Sequence, residues 1–469
     1  MEGRIYRRKV DRRHVRTTLL AAAAMIVAAA HSADAIAQAA RPSPRLVVCI
    51  TIDNLTTSQL ERHERLYGDN GFKRLLKGGT VYCNVSYTFA PLDRVSAVAA
   101  VVTGATPYYN GITGARWLDR TTLRPAESMG NGAASILSST ITDELKVATG
   151  GRGLVYAVAE DESTAIITGG HAADAALWLN GKGRWVNAAQ PTAADMKWLG
   201  AFNRVDAETT SPHAYARITA MALQCVSSGG MGTDDVGDIL SVTYTAEDGE
   251  DAYVSLDKCI GELLSGTERT VGEGNVLFIV TGTGCEPEAT GDYALYGIPT
   301  GIFYINRAQN LLNMYLSATY GQGRYVEASF RNQIFLNKKL IEQRNMSAEE
   351  VENRSRDFIM ELSGVRNVYT SRGILANECP DERVRNGFNP AVCGDLVIEI
   401  APGWSLLNED TQEHFQQRSS AVPFPVIVFG CGVPCQTVAA DIATDRIAPT
   451  IAKCLRIRAP NACRASALF

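Results

Sequence analysis

The hydrophobic pattern of this chain is dominated by short apolar runs without alternation. The first is Leu46–Asp53, LVVCITID, and others follow at Leu154–Val158, Ile239–Tyr244, Val276–Val280, Ile302–Ile305, Leu396–Ile400 and Val426–Phe429. A continuous apolar, β-rich run reads as a strand covered on both faces, the state of a central strand in a parallel sheet. Between the runs, apolar residues recur at helical spacing in Ser58–Leu76, Thr140–Ala148, His213–Val226, Asp251–Leu264 and Ile447–Leu455. Strands separated by helices predict an α/β fold, a three-layer α/β/α sandwich with a mostly parallel central sheet. Ligand sites of such sheets lie beyond the carboxyl ends of the strands, which puts Asp53 in a chemically interesting place. The alternative role for Asp53 is to cap the helix that follows.

Residues 306–395 break this rhythm. They are polar and predict helices at Asn310–Thr319, Arg331–Gln343 and Ser347–Leu362. The expected organisation is a core over 38–305, an inserted cap over 306–395, and the last part of the core over 396–469. No repeat or low-complexity tract is visible.

The first 37 residues stand apart. A basic stretch containing Arg4, Arg7, Arg8, Lys9, Arg12, Arg13 and Arg16 precedes a short Ala-rich apolar run, and Ala35-Ile36-Ala37 fits a small-residue cleavage site. That layout predicts an export signal over 1–37, hence the periplasm or cell envelope, with a retained N-terminal anchor as the alternative. No later stretch is long and apolar enough to span a bilayer. The formal charge of −5 becomes more negative once this segment is removed, which argues against nucleic acid as a partner. All 11 cysteines follow the export signal, as suits an oxidising compartment. Close spacing makes Cys379 with Cys393, Cys431 with Cys435, and Cys454 with Cys463 candidate disulfides, although spacing does not fix connectivity.

Several stretches together resemble the alkaline phosphatase superfamily, in particular its PafA-like branch, related to type I phosphodiesterases and nucleotide pyrophosphatases. They include ITIDNL at 50–55, TGATPYYNGITG at 103–114, SSTITDEL at 138–145, GHAADAALWLNG at 170–181, GDLVIEIAPGW at 394–404 and DRIAPTIAK at 445–453. The resemblance implies the fold above. It also implies a site in which two zinc ions, held by Asp and His side chains, activate a Thr or Ser nucleophile and neutralise a phosphoryl group.

Carried over residue by residue, the resemblance preserves the scaffold and loses the chemistry. Asp53 matches the first metal ligand and is read as a vestigial one. Pro91 and Thr103-Gly104 anchor the nucleophile segment, in which Arg94 falls on the nucleophile. Arginine stays protonated and cannot attack. Ser96 is the nearest hydroxyl, two residues out of register. Where the family has a Thr-Ala-Asp-His-Gly cluster this chain has Thr281-Gly282-Thr283-Gly284-Cys285. A further histidine position holds Ala421 or Pro423. The phosphate-gripping Lys and Arg of the family fall on Asp161 and Ser163, and its phosphate-contacting Asn falls on Ala115. Beyond the export signal only His63, His171, His213 and His414 remain, and none has a second ligand at metal spacing. His63 reads as a surface residue of its helix.

Asp53, Arg94, Ala115, Asp161, Ser163 and Thr283 are therefore candidates for lining a former pocket. Loss of the cations predicts that Arg94 neutralises Asp53 in a salt bridge. The leading expectation is a pseudophosphatase that binds an unidentified protein or small molecule, with no cofactor. Two others stay open. One is a metal-dependent phosphomonoesterase or phosphodiesterase using Ser96 or Thr283, with zinc as its cofactor. The other is an envelope scaffold or assembly component that makes contact through 306–395.

Overall fold

Leu46–Asp53 (β1) forms the middle of a nine-stranded sheet in the computed structural model, which describes residues 43–188, 197–206, 213–284, 293–415 and 422–469. The other strands are Thr80–Ser86 (β2), Val155–Ala159 (β3), Ala175–Leu179 (β4), Trp185–Asn187 (β5), Asp238–Thr245 (β6), Val276–Gly282 (β7), Phe424–Gly430 (β8) and Gln436–Ala443 (β9). Their order is β9-β2-β8-β7-β1-β6-β3-β4-β5. β1 is flanked in parallel by β6 and β7, with Asp53 opposite Thr245 and Ile52 opposite Gly282. β8 runs antiparallel to both its neighbours, and β5 runs antiparallel to β4. The sheet is mostly parallel, as expected.

The pleat of β1 feeds two separate cores. Leu46, Val48, Ile50 and Ile52 pack with helices Phe72–Gly78, Tyr215–Gly229 and Glu250–Val271 on one face. Val47 packs on the other face with helices Arg94–Thr103, Ile141–Thr149 and Ile447–Leu455. Alternate side chains of a strand point to opposite faces, so a run apolar at every position is what two helical layers require. Pro44–Phe469 form one compact unit.

The structure corrects several details. Ser58–Leu76 is interrupted rather than continuous, as Thr57–Arg62, a 3-10 turn at Glu64–Leu66, and Phe72–Gly78. The buried Asp257 carboxylate accepts from Gly68 N and Phe72 N, each at 2.7 Å, and so starts the second helix afresh. His63, expected on the surface, is buried and stacked on Tyr253 with ring centroids 4.1 Å apart. Arg331–Gln343 is a turn, a strand Gln333–Leu336 and only then a helix, Lys338–Gln343. Its apolar run Ile334-Phe335-Leu336 is buried by pairing with Val326–Phe330, and Asn337 caps the helix.

Two runs expected in the main sheet build smaller sheets instead. Leu396–Ile400 pairs with Gln333–Leu336 and Val365–Thr370, and Gly301–Tyr304 pairs with Trp404–Asn408. Both contribute to a separate core around Leu312, Leu316, Tyr325, Val351 and Ile359. None of the expected disulfides forms: no bridge joins Cys379 to Cys393, Cys431 to Cys435, or Cys454 to Cys463. Cys379 and Cys393 are instead buried thiols in one small apolar cluster with Ile374, Phe388 and Val397. The expected export signal lies outside the described residues, among which no helix is long and apolar enough to cross a membrane.

Candidate functional site

The carboxyl ends of β1, β6 and β7 bring Asp53, Thr245 and Gly282 side by side. Asp53 is buried, and its Oδ1 accepts from Thr283 Oγ1 at 2.7 Å. The same hydroxyl accepts from Asn54 N at 3.1 Å. Asn54 adopts the left-handed conformation, φ 64°, which turns the chain sharply out of the strand. Gly282 permits this close passage, since a Cβ there would collide with the Leu55 carbonyl. Two of the residues expected at the site, Asp53 and Thr283, are thus in direct contact.

Arg94 is the first residue of the helix Arg94–Thr103, whose N-cap is Asp93. The Asp93 carboxylate accepts from Ser96 N at 2.9 Å, and Asp93 N donates to Ser96 Oγ at 3.0 Å. This is a reciprocal capping box, and it accounts for Ser96. The Ser96 hydroxyl is buried and donates to the Asp93 carbonyl at 3.0 Å, so it faces the backbone of its own turn and not the strand ends.

Asp93 does more than cap. Its Oδ2 accepts from Ala115 N at 2.8 Å and from the Arg331 guanidinium at 2.9 Å. Burial raises the Asp93 pKa, but Arg331 and the two amides outweigh it and hold the carboxyl below its usual range. Gly114 leaves room for this contact, since a Cβ there would displace the Arg331 and Asp93 side-chain ends. Arg331 sits at φ 51° in the turn before Gln333–Leu336, so the smaller sheet reaches directly to the start of the Arg94 helix. Ala115 contributes its backbone here and packs against the apolar cluster of Val95, Val98 and Ile112.

The Arg94 guanidinium forms its ion pair with Asp161 Oδ2 at 3.2 Å, not with Asp53 as expected. The reason is local. Asp161 is the N-cap of the helix Glu162–Gly169, accepting from Thr164 N at 3.1 Å on its other oxygen, and that helix packs against the Arg94 helix. Ser163 lies in its first turn, half-buried. Asp53, Arg94, Ala115, Asp161, Ser163 and Thr283 therefore fall on strand ends and helix starts. Among the described residues, Asp53 contacts Thr283 and Arg94 contacts Asp161.

The histidines serve the scaffold. His171 Nδ1 lies 2.8 Å from Asp143 Oδ2 and its Nε2 lies 3.1 Å from the Ile136 carbonyl. Both partners only accept, which favours the doubly protonated ring. Its pKa is raised first by the Asp143 hydrogen bond, against the opposing effect of burial. His213 contacts Glu247 at 3.0 Å, and His414 lies on the strand Glu413–Phe415.

Among the described residues, the donors at these strand ends do not make a site for a pair of zinc ions: Asp53 is engaged by the Thr283 hydroxyl, and His213, beside the end of β6, is bonded to Glu247. Among the described residues no three His, Cys, Asp or Glu side chains form a metal-binding group. Cys285 and Ala421 lie outside the described residues, while Pro423 accepts a backbone hydrogen bond from Thr57 at 3.0 Å.

Sequence reading missed Asp93 and Arg331. An Asp three residues before a Ser at the head of an apolar run is a capping signal, and it could have flagged Asp93. Nothing local marks Arg331, because its partner is 238 residues away.

The fold is matched by known proteins. The sequence profile of the type I phosphodiesterase / nucleotide pyrophosphatase family matches residues 47–421. Alkaline phosphatase PafA of Elizabethkingia meningoseptica is 23% identical, over 90% of this chain and 93% of that protein. Alkaline phosphatase PhoV of Synechococcus elongatus is 22% identical, over 89% and 91%. The crystal structure of wild-type PafA superimposes with a TM-score of 0.78 at 20% identity, covering 92% of this chain and 99% of that one. The chain belongs to the type I phosphodiesterase / nucleotide pyrophosphatase family and, within the alkaline phosphatase superfamily, to its PafA-like branch.

Proposed function

We propose that this protein is an exported pseudophosphatase: it keeps the superfamily scaffold, has lost two-metal phosphoester hydrolysis and acts by binding. The observation that supports this reading is that Arg94, which falls on the nucleophile position by the sequence match, is held in an ion pair with Asp161. An always-protonated guanidinium there supplies no attacking oxygen, and it repels a dication. Export rests on the basic and apolar pattern of residues 1–37. The acidic balance disfavours nucleic acid, which leaves a protein or a small molecule as the partner. No cofactor is needed for this role.

A second reading is favoured by kinship with proteins named alkaline phosphatases: hydrolysis through altered residues, with Thr283 or Ser96 as nucleophile and zinc as cofactor. The engagement of Ser96 in its capping box and of Thr283 with Asp53 weighs against it. The deciding experiment is a steady-state assay of the purified protein on p-nitrophenyl phosphate and bis(p-nitrophenyl) phosphate with added zinc. Turnover no faster than buffer is expected. Turnover that Asp53→Ala or Thr283→Val abolishes would establish the hydrolase instead.

A further inference from the structure

Among the described residues, six strands edge the nine-, four- and three-stranded sheets, and five of them are guarded against pairing with another chain. Gln436–Ala443, Val326–Phe330 and Val365–Thr370 each hold a register shift and a charged residue: Asp441, Glu327 and Arg366. Glu413–Phe415 holds Glu413. Trp185–Asn187 is covered, since Asn203 accepts from Trp185 N at 2.8 Å and donates to the Trp185 carbonyl at 2.9 Å. Charges, bulges and covering groups are the means by which sheet edges avoid joining one another.

Gly301–Tyr304, the sixth, has none of these. It pairs with Trp404–Asn408 in unshifted parallel register, and among the described residues no hydrogen bond reaches its outer side. No charged residue occurs from Tyr293 to Asn306. Leu295 and Tyr296, just before the strand, are 78% and 81% exposed, and Ile298 and Ile302 are exposed as well. Apolar side chains clustered beside an unguarded edge mark an interaction surface. We propose that Gly301–Tyr304 is where two copies of this chain associate, each adding its strand antiparallel to the other across a two-fold axis.

A second copy fits this edge in backbone, side chains and charge. A row of amide donors and carbonyl acceptors is satisfied by another strand, and an antiparallel copy of the same strand matches it reciprocally. Residues facing each other across an antiparallel pair share a face. A two-fold centred on Ile302 therefore sets Ile302 against Ile302 of the second copy, and Thr300 against Tyr304. Neutral surface meets neutral surface, because the nearest charge, Arg307, is held within its own chain by Glu409 at 2.7 Å and 2.6 Å. The patch is smaller than a standard interface of about 800 Å² per partner, so the dimer is weak, with a Kd on the order of 100 µM.

The test is sedimentation velocity of the purified protein from about 5 µM to about 500 µM, a range that brackets such a dimer. Hydrogen exchange is measured at both ends. Wild type should pass from one chain to two as concentration rises, and the amides of Gly301–Tyr304 should exchange more slowly in the dimer. Ile302→Lys, at an exposed position, sets a charge against its own copy and should weaken association more than about tenfold. Thr300→Lys serves if that variant folds poorly. A chain that stays single at the upper concentration overturns the proposal. So does a dimer that leaves exchange at Gly301–Tyr304 unchanged, or one that forms at full strength in the lysine variant. A single chain that co-sediments with phosphatidylcholine vesicles, and fails to once Ile302 is lysine, would assign the surface to lipid and overturn it too. None of these readouts involves turnover, so the result stands apart from the pseudophosphatase reading.

Discussion

Thr283 donates its hydroxyl hydrogen to Asp53 at 2.7 Å, joining residues 230 apart in sequence at the ends of adjacent strands. A buried carboxylate at this place needs donors. Thr283→Val removes one while keeping shape, and should destabilise the fold by about 1.5–3 kcal/mol. Urea denaturation checks this as a lowered midpoint with an unchanged slope. A midpoint equal to wild type would show that the hydroxyl is dispensable to Asp53.

The Asp93–Arg331 contact predicts energetic coupling between the smaller sheet and the start of the Arg94 helix. Asp93→Ala should cost about 1–2 kcal/mol through loss of the N-cap. A double-mutant cycle with Arg331→Gln should give a coupling of about 1 kcal/mol. Hydrogen exchange should locate the lost protection at Val95–Ala97 rather than at the far end of the helix. Additive effects of the two substitutions would contradict the coupling.

The His171–Asp143 pair predicts a pH dependence with two limbs. His171 has its pKa raised in the fold, so its contribution is full below the ordinary histidine value and fades as pH rises through the raised one. Burial opposes ionisation of Asp143, yet hydrogen bonds from His171 and Thr140 outweigh it and lower the pKa. That contribution is present above the ordinary carboxyl value and lost as pH falls through the lowered one. The melting temperature of wild type should therefore drop more steeply between pH 6 and 8 (about the histidine range) than that of His171→Gln. Parallel profiles would show that the ring is not held as a cation.

The layout of the sheet was legible because burial on both faces leaves a plain mark, the unbroken apolar run of β1 and its neighbours. Where strands went astray, at Leu396–Ile400 and Ile302–Ile305, the run itself was correct. What the local pattern lacked was which sheet would bury it, a matter of partners far away in sequence. The candidate site was legible only through the family resemblance, by which Arg94 and Asp161 fall on positions that carry other residue types in the family pattern. Their pairing with each other was not. Charge and the family pattern both match Arg94 to Asp53, whereas packing of two helices brings Asp161 to the guanidinium, and Asp53 accepts from the Thr283 hydroxyl. Cysteine spacing misled in a similar way, because Cys379 and Cys393 fill an apolar cluster as thiols.

The central claim is that this scaffold no longer offers a seat for two dications. Zinc content of the purified wild-type chain, measured by mass spectrometry after dialysis against a zinc-buffered solution, tests it most directly. The account predicts zinc well below one ion per chain, unaffected by Asp53→Ala. Two ions per chain, both lost in Asp53→Ala, would contradict it.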